Sequence, residues 1–201
     1  NYMKRLTLLR HAKSTWDDPV ARDFDRPLNP RGRRAAETVG REMREQGLAF
    51  DRVLASPAVR VSETLDEIGD GYGQALRAEQ DERLYLASAS TLLDIIHDTG
   101  DEVRSLLLVG HNNGLEDLAL LLTANRDGAL RDELSVKYPT ATLAEIELDV
   151  ERWGEVAEGG GTLTRFIRPR DLDPELPGLD ERARWSVRVA REQLTEDLRR
   201  I

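Results

Sequence analysis

The chain has 201 residues, enough for one substantial core and few for two ordinary domains. Its 29 basic and 38 acidic residues leave a formal charge of −9, which argues against general binding to nucleic acid or to an anionic membrane. There is no cysteine, so disulfides, thiolate zinc sites and thiol nucleophiles are excluded.

Arg5–Leu9 reads as a short buried strand. Asn29-Pro30 supplies a cap and a first-turn proline for a helix that Gly47 closes, with Ala36, Val39, Gly40 and Met43 at helical spacing. Arg52–Ala55 is a second strand, and Ser56-Pro57 repeats the cap-plus-proline pattern for a helix reaching about Ile68. Beyond the glycine-rich break at residues 69–73, Ala75–Glu79 is extended and Ala89–Thr99 is helical. Ser105–Val109 is the strongest strand, followed by a helix over Gly114–Leu122. Ala141–Val150 alternates apolar and polar residues, and Thr162–Ile167 is its expected antiparallel partner across Gly159-Gly160-Gly161.

Residues 1–178 are expected to form a single α/β domain, and residues 179–201 an amphipathic helix packing on that domain or at a dimer contact. The alternation of elements predicts a three-layer architecture, a mainly parallel sheet with helices on both faces. Such sheets bind ligands beyond the carboxyl ends of their strands. The apolar runs are too short to span a membrane and no secretory leader is evident, so a cytoplasmic protein is expected.

Three histidines are present. His11 and His111 each follow directly on an apolar strand, so if those strands are neighbours the two rings meet in one crevice. His97, beside Asp94 and Asp98 in a helical stretch, reads as a solvated surface residue. Arg10 precedes His11, and its guanidinium offers fixed donors for phosphate or carboxylate. Arg60 lies in the first turns of the helix after Ser56, where anions are favoured, though it could instead pair with Glu63 or Glu67. Two arginines and two histidines without a cysteine suit phosphoryl transfer, in which a histidine can itself accept the phosphoryl group. The same set lacks the carboxylate–histidine spacing of a metal site, so neither metal nor cofactor is expected.

These residues sit in recognisable motifs. Leu8-Leu9-Arg10-His11-Ala12-Lys13-Ser14 resembles the opening Arg-His motif of the histidine phosphatase (phosphoglycerate-mutase-like) superfamily. Residues 55–64 (Ala-Ser-Pro-Ala-Val-Arg-Val-Ser-Glu-Thr) resemble its second motif and Gly110-His111-Asn112 its third. Residues 14–18 and 23–32 are similar to the SixA-type phosphohistidine phosphatase branch. The resemblance implies that His11 attacks phosphorus and becomes a phosphohistidine. Arg10, Arg60 and a protonated His111 would then hold the phosphoryl oxygens. The second ring nitrogen of His11 is expected to donate to a backbone carbonyl.

Several positions depart from the superfamily pattern. Leu86 stands where mutases carry an acidic proton donor; Glu82 is nearby but reads more readily as a surface carboxylate. Asp17 replaces an expected asparagine, and would need a cationic partner or would supply the missing proton. Asn112 either donates to substrate or caps the next helix. Ser14, in the first motif, is a further candidate beside the site. The short stretch between Leu65 and Ser105 leaves little chain for a lid, so an open pocket is expected. A missing acid hinders alkyl phosphate cleavage more than cleavage of a phosphoramidate. The expected partners are therefore a phosphorylated protein, with protein phosphohistidine first, or a small phosphorylated molecule. A phosphomonoesterase and a non-catalytic phosphate-binding module remain the alternatives, and the chain is expected to be a monomer or homodimer.

Overall fold

The structure is a computed structural model that describes residues 4–16, 22–173, 175, 193 and 196–200. Its sheet is built from β1 (Lys4–Arg10), β2 (Arg52–Ala55), β3 (Ala78–Gln80), β4 (Ser105–Gly110), β5 (Leu143–Leu148) and β6 (Gly161–Ile167). The strand order is β3-β2-β4-β1-β5-β6. The pairs β2/β3, β2/β4 and β1/β4 are parallel, whereas β5 runs antiparallel to both β1 and β6. A parallel body with an antiparallel edge is the expected outcome of strand–helix alternation that ends in two consecutive strands.

Side-chain alternation along the central strands divides the core into two layers. Leu6, Leu8, Leu106 and Leu108 pack against α3 (Ala89–His97), α4 (Gly114–Leu122) and α5 (Ala129–Val136). Leu9, Leu107 and Val109 face α1 (Pro30–Glu45) and α2 (Val59–Tyr72). Every residue of β4 is buried, so each of its large apolar side chains contributes about 1.5–3 kcal/mol of burial. Helices α1 and α2 approach closely because both are notched by glycine: a Cβ at Gly40 would lie 2.2 Å from the Ile68 carbonyl oxygen, and one at Gly71 2.0 Å from that of Glu37.

The expected elements are present with shifted ends. Asn29 caps α1 through its side chain, which accepts from the Gly32 amide at 2.7 Å. Ser56 does not cap α2, which starts at Val59 behind Ala58; its hydroxyl is engaged elsewhere. The extended stretch at 75–79 narrows to β3 at the sheet edge. Helix α5, with Leu134 its single buried residue, and the short α6 (Pro169–Leu172) were not anticipated. His97 is half-buried rather than solvated, with Nε2 2.7 Å from the Val156 carbonyl oxygen. The C-terminal helix expected over residues 179–201 lies outside the described residues, apart from helical positions at 193 and 196–199.

The register of the parallel pair β1/β4 places Arg10 opposite Gly110, so both chains leave the sheet at the same level. β2 runs parallel to β4 and carries the chain toward α2 at that same edge. Three separate parts of the sequence are thereby delivered to one crevice.

Candidate active site

His11 leaves β1 held on both sides by backbone: its amide donates to the Gly110 carbonyl at 3.0 Å, and its carbonyl accepts from the Ala141 amide at 3.0 Å. Its Nδ1 lies 2.6 Å from the Ala12 carbonyl oxygen. A carbonyl can only accept, so Nδ1 carries the proton and Nε2 keeps a free lone pair. His11 as a whole is 8% exposed. Burial, reinforced by the neighbouring His111, Arg60 and Arg10, pushes its pKa down to about 3 despite the hydrogen bond to Ala12. Helix α2 supports this turn as well: the Ala12 amide donates to the Thr64 hydroxyl at 2.9 Å, which itself donates to the Arg60 carbonyl at 2.6 Å.

The ring of His111 lies 5.4 Å from that of His11, centroid to centroid, at an interplanar angle of 57°. Its Nε2 is 2.7 Å from the Ser56 hydroxyl and its Nδ1 is 3.3 Å from Nη2 of Arg60. A guanidinium only donates, so Nδ1 is the acceptor and Nε2–H donates to Ser56. Burial and the adjacent Arg60 lower the His111 pKa to about 4. Burial and Arg60 thus favour the neutral ring in this structure; the protonated His111 that the resemblance implies belongs to the state with a phosphoryl group beside it.

Both arginines turn inward. Nη1 of Arg10 donates to the Tyr138 carbonyl at 2.8 Å, and Tyr138 is anchored in turn by its hydroxyl donating to the Leu8 carbonyl at 2.5 Å. Arg60, 2% exposed, does not pair with Glu63 or Glu67, which Arg33 engages instead. Its Nη1 donates to the Asp23 carbonyl at 2.7 Å and its Nη2 to Asp23 Oδ2 at 3.0 Å. The Nε atoms of Arg10 and Arg60 are buried without any acceptor. The Nε of Arg52 is orphaned likewise, so what sets Arg10 and Arg60 apart is that both cations lie close enough to disfavour a proton on His11, a setting that suits an anion.

The other candidates separate clearly. Ser14 is buried and accepts from Nη1 of Arg26 at 2.6 Å. Asn112, one residue before the N-cap Asn113, serves the first turn of α4, its Oδ1 accepting from the Glu116 amide at 3.1 Å. Glu82 is exposed in the 3-10 turn Glu82–Leu84 and makes none of these contacts, whereas Tyr85, three residues later, stacks its ring edge-on to His111 at 5.4 Å. Asp17 lies outside the described residues. Sequence reasoning missed Asp23, Tyr85 and the engagement of Ser56 by His111. Asp23 accepts from Tyr85 Oη at 2.5 Å as well as from Arg60 and Arg26. Burial acts to raise the Asp23 carboxyl, but these three donors outweigh it and hold the pKa at about 2. Burial and the bond to Asp23 raise the Tyr85 phenol, so it remains a donor. Among the described residues no three His, Asp or Glu side chains gather as metal ligands would.

A neutral nitrogen lone pair beside two cationic donors can attack an anionic, electrophilic centre while its charge is held in place. The profile of the histidine phosphatase superfamily (branch 1) matches residues 6–85. An uncharacterized protein of Mycobacterium tuberculosis is 38% identical over 164 residues, covering 81% of this chain and 100% of that protein. The SixA protein of Agrobacterium tumefaciens is 30% identical with a TM-score of 0.69, covering 83% of this chain and 98% of that one. The SixA protein of Nakamurella multipartitia is 27% identical with a TM-score of 0.70, over 83% and 96% of the two chains. With its motifs delivered in order to one crevice, the chain belongs to the histidine phosphatase superfamily, on its SixA-like side.

Proposed function

We propose that the protein is a phosphatase that works through a phosphohistidine at His11 and that its preferred substrate is a phosphoramidate, above all phosphohistidine on a protein. The observation that carries the reading is the convergence of Arg10, Arg60 and His111 on a buried His11 ring whose Nδ1 is tied to the Ala12 carbonyl, which leaves Nε2 to attack. In the first step Nε2 attacks phosphorus and the bond to the leaving group breaks. Arg10 and Arg60 hold the oxygens of the transferring group. An arriving phosphoryl dianion raises the proton affinity of His111, and a proton taken up at Nδ1, in place of the bond accepted from Arg60, makes that nitrogen a further cationic donor. In the second step water attacks the phosphohistidine, the bond from phosphorus to Nε2 breaks and inorganic phosphate leaves.

The substrate class rests on Asp23 and Glu82, the candidate Asp17 lying outside the described residues. Asp23, the carboxyl bonded to Arg60, is ionised down to a pKa of about 2, and Glu82 stands exposed away from the contacts. Neither suits delivery of a proton to a departing alkoxide at neutral pH. A phosphoimidazole can take its proton from water at the distal ring nitrogen, so that breaking the N–P bond releases neutral imidazole without such an acid. The SixA proteins that the chain resembles bear the name phosphohistidine phosphatase, which agrees with this reading.

The test compares kcat/KM for a phosphohistidine peptide, p-nitrophenyl phosphate and sugar phosphates, each with and without EDTA. The peptide is expected to be the best substrate and turnover to be indifferent to chelation. A preference for sugar phosphates overturns the substrate class, and absence of turnover on every ester and amide favours a phosphate-binding module.

A further inference from the structure

Asp23 occupies an unusual position. It opens the 3-10 turn Asp23–Asp25, and its side chain is 40% exposed although it is bonded to an arginine that is 2% exposed. This one residue takes both terminal nitrogens of Arg60, Nη1 through its backbone carbonyl at 2.7 Å and Nη2 through Oδ2 at 3.0 Å. A guanidinium held at both ends has its plane fixed, and with it the direction of the N–H groups that Asp23 leaves free. Oδ1 is held in turn by Nε and Nη2 of Arg26, at 3.2 and 3.0 Å. Arg26 is tied to the first motif through Ser14 and lies 3.4 Å over the Trp16 ring. Tyr85 donates to Oδ2 and keeps that oxygen from swinging away. A chain of contacts therefore runs from Trp16 at the surface through Arg26 and Asp23 to Arg60.

We infer that Asp23 is a positioning residue for catalysis: it clamps the guanidinium of Arg60 in the plane from which it meets the transferring phosphoryl group. The inference rests on the reading of Arg60 as a phosphoryl donor. A displacement of about 1 Å in such a donor lowers rates by up to about 10²-fold. Asp23→Ala therefore lowers kcat/KM by about 10- to 100-fold, and Asp23→Asn, which keeps one oxygen for Arg60, falls between that variant and the wild type.

A double-mutant cycle with Arg60→Ala distinguishes this role from a purely structural one. Both kcat/KM on p-nitrophenyl phosphate and the Kd of inorganic phosphate are measured for the wild type, the two single variants and the double variant. Because Asp23 acts through Arg60, adding Asp23→Ala to the Arg60→Ala protein is expected to change either quantity by less than about twofold. An equal loss in both backgrounds, or no loss in Asp23→Ala alone, overturns the proposal. Arg60→Ala with undiminished turnover and phosphate binding overturns the phosphoryl role of Arg60 and this proposal with it. If the alanine variant does not fold, the same cycle is run with Asp23→Asn, with the same outcomes deciding.

Discussion

Replacing His11 by asparagine tests the neutrality of the nucleophile without relying on any substrate. The folded imidazole has a pKa of about 3, against 6.5 for the ordinary side chain. A folded pKa below the unfolded one means that the unfolded chain takes up the proton first. Stability from this site is therefore complete above pH 6.5 and is lost progressively as the pH falls toward 3. Between pH 6.5 and 4.5 the unfolded imidazole is protonated and the folded one is not; at about 1.4 kcal/mol per pH unit this costs about 3 kcal/mol. Asparagine does not titrate, and its amide can still donate to the Ala12 carbonyl as Nδ1 does. Urea unfolding of wild type and His11→Asn at pH 7 and pH 4.5 should show the acid loss of stability smaller in the variant by about 3 kcal/mol. His111, at about 4, keeps its own share of the acid sensitivity in both proteins. An identical loss in wild type and variant would refute the argument, because His11 would then titrate alike in the folded and unfolded chains.

Ser56→Ala leaves the Nε2–H of His111 buried without its acceptor, so urea unfolding should show a loss of about 1–3 kcal/mol together with lower kcat/KM. An unchanged variant would mean that the serine does not set the tautomer of His111. Gly32→Ala places a Cβ 2.1 Å from the Lys13 carbonyl oxygen, in the backbone just after His11. The overlap should cost about 1–3 kcal/mol of stability and displace the His11 turn enough to reduce turnover; wild-type activity at wild-type stability would contradict the close approach.

His11 and His111 were legible because each ends an apolar strand, and such strands run side by side in a parallel sheet. The level register that brings Arg10 opposite Gly110 is a tertiary fact that no local pattern encodes. Arg60 was legible as a candidate, but its choice between an acid on its own helix and the crevice depended on Arg33 engaging both Glu63 and Glu67. Asp23 and Tyr85 were not found. Each lies in or beside a 3-10 turn, where neither helical nor strand periodicity reports which way a side chain points. The absence of an acid at Leu86 was visible, yet that Leu86 itself is exposed while the ring of Tyr85 meets His111 follows from the turn around Leu84. Ser56 matched the pattern of a helix cap, but its hydroxyl serves the imidazole across the crevice, and α2 begins three residues later. Helix α5 buries Leu134 alone, too little for an apolar stripe to show.

The central claim is that His11 carries the phosphoryl group between the two halves of the reaction. Rapid mixing of the protein with a phosphohistidine peptide, quenching in alkali to preserve phosphohistidine, and mass mapping of the proteolytic peptides tests it most directly. The account predicts one phosphoryl group on His11 that appears and decays within turnover, and none in His11→Asn. Label on another residue, or full turnover by His11→Asn, would contradict it.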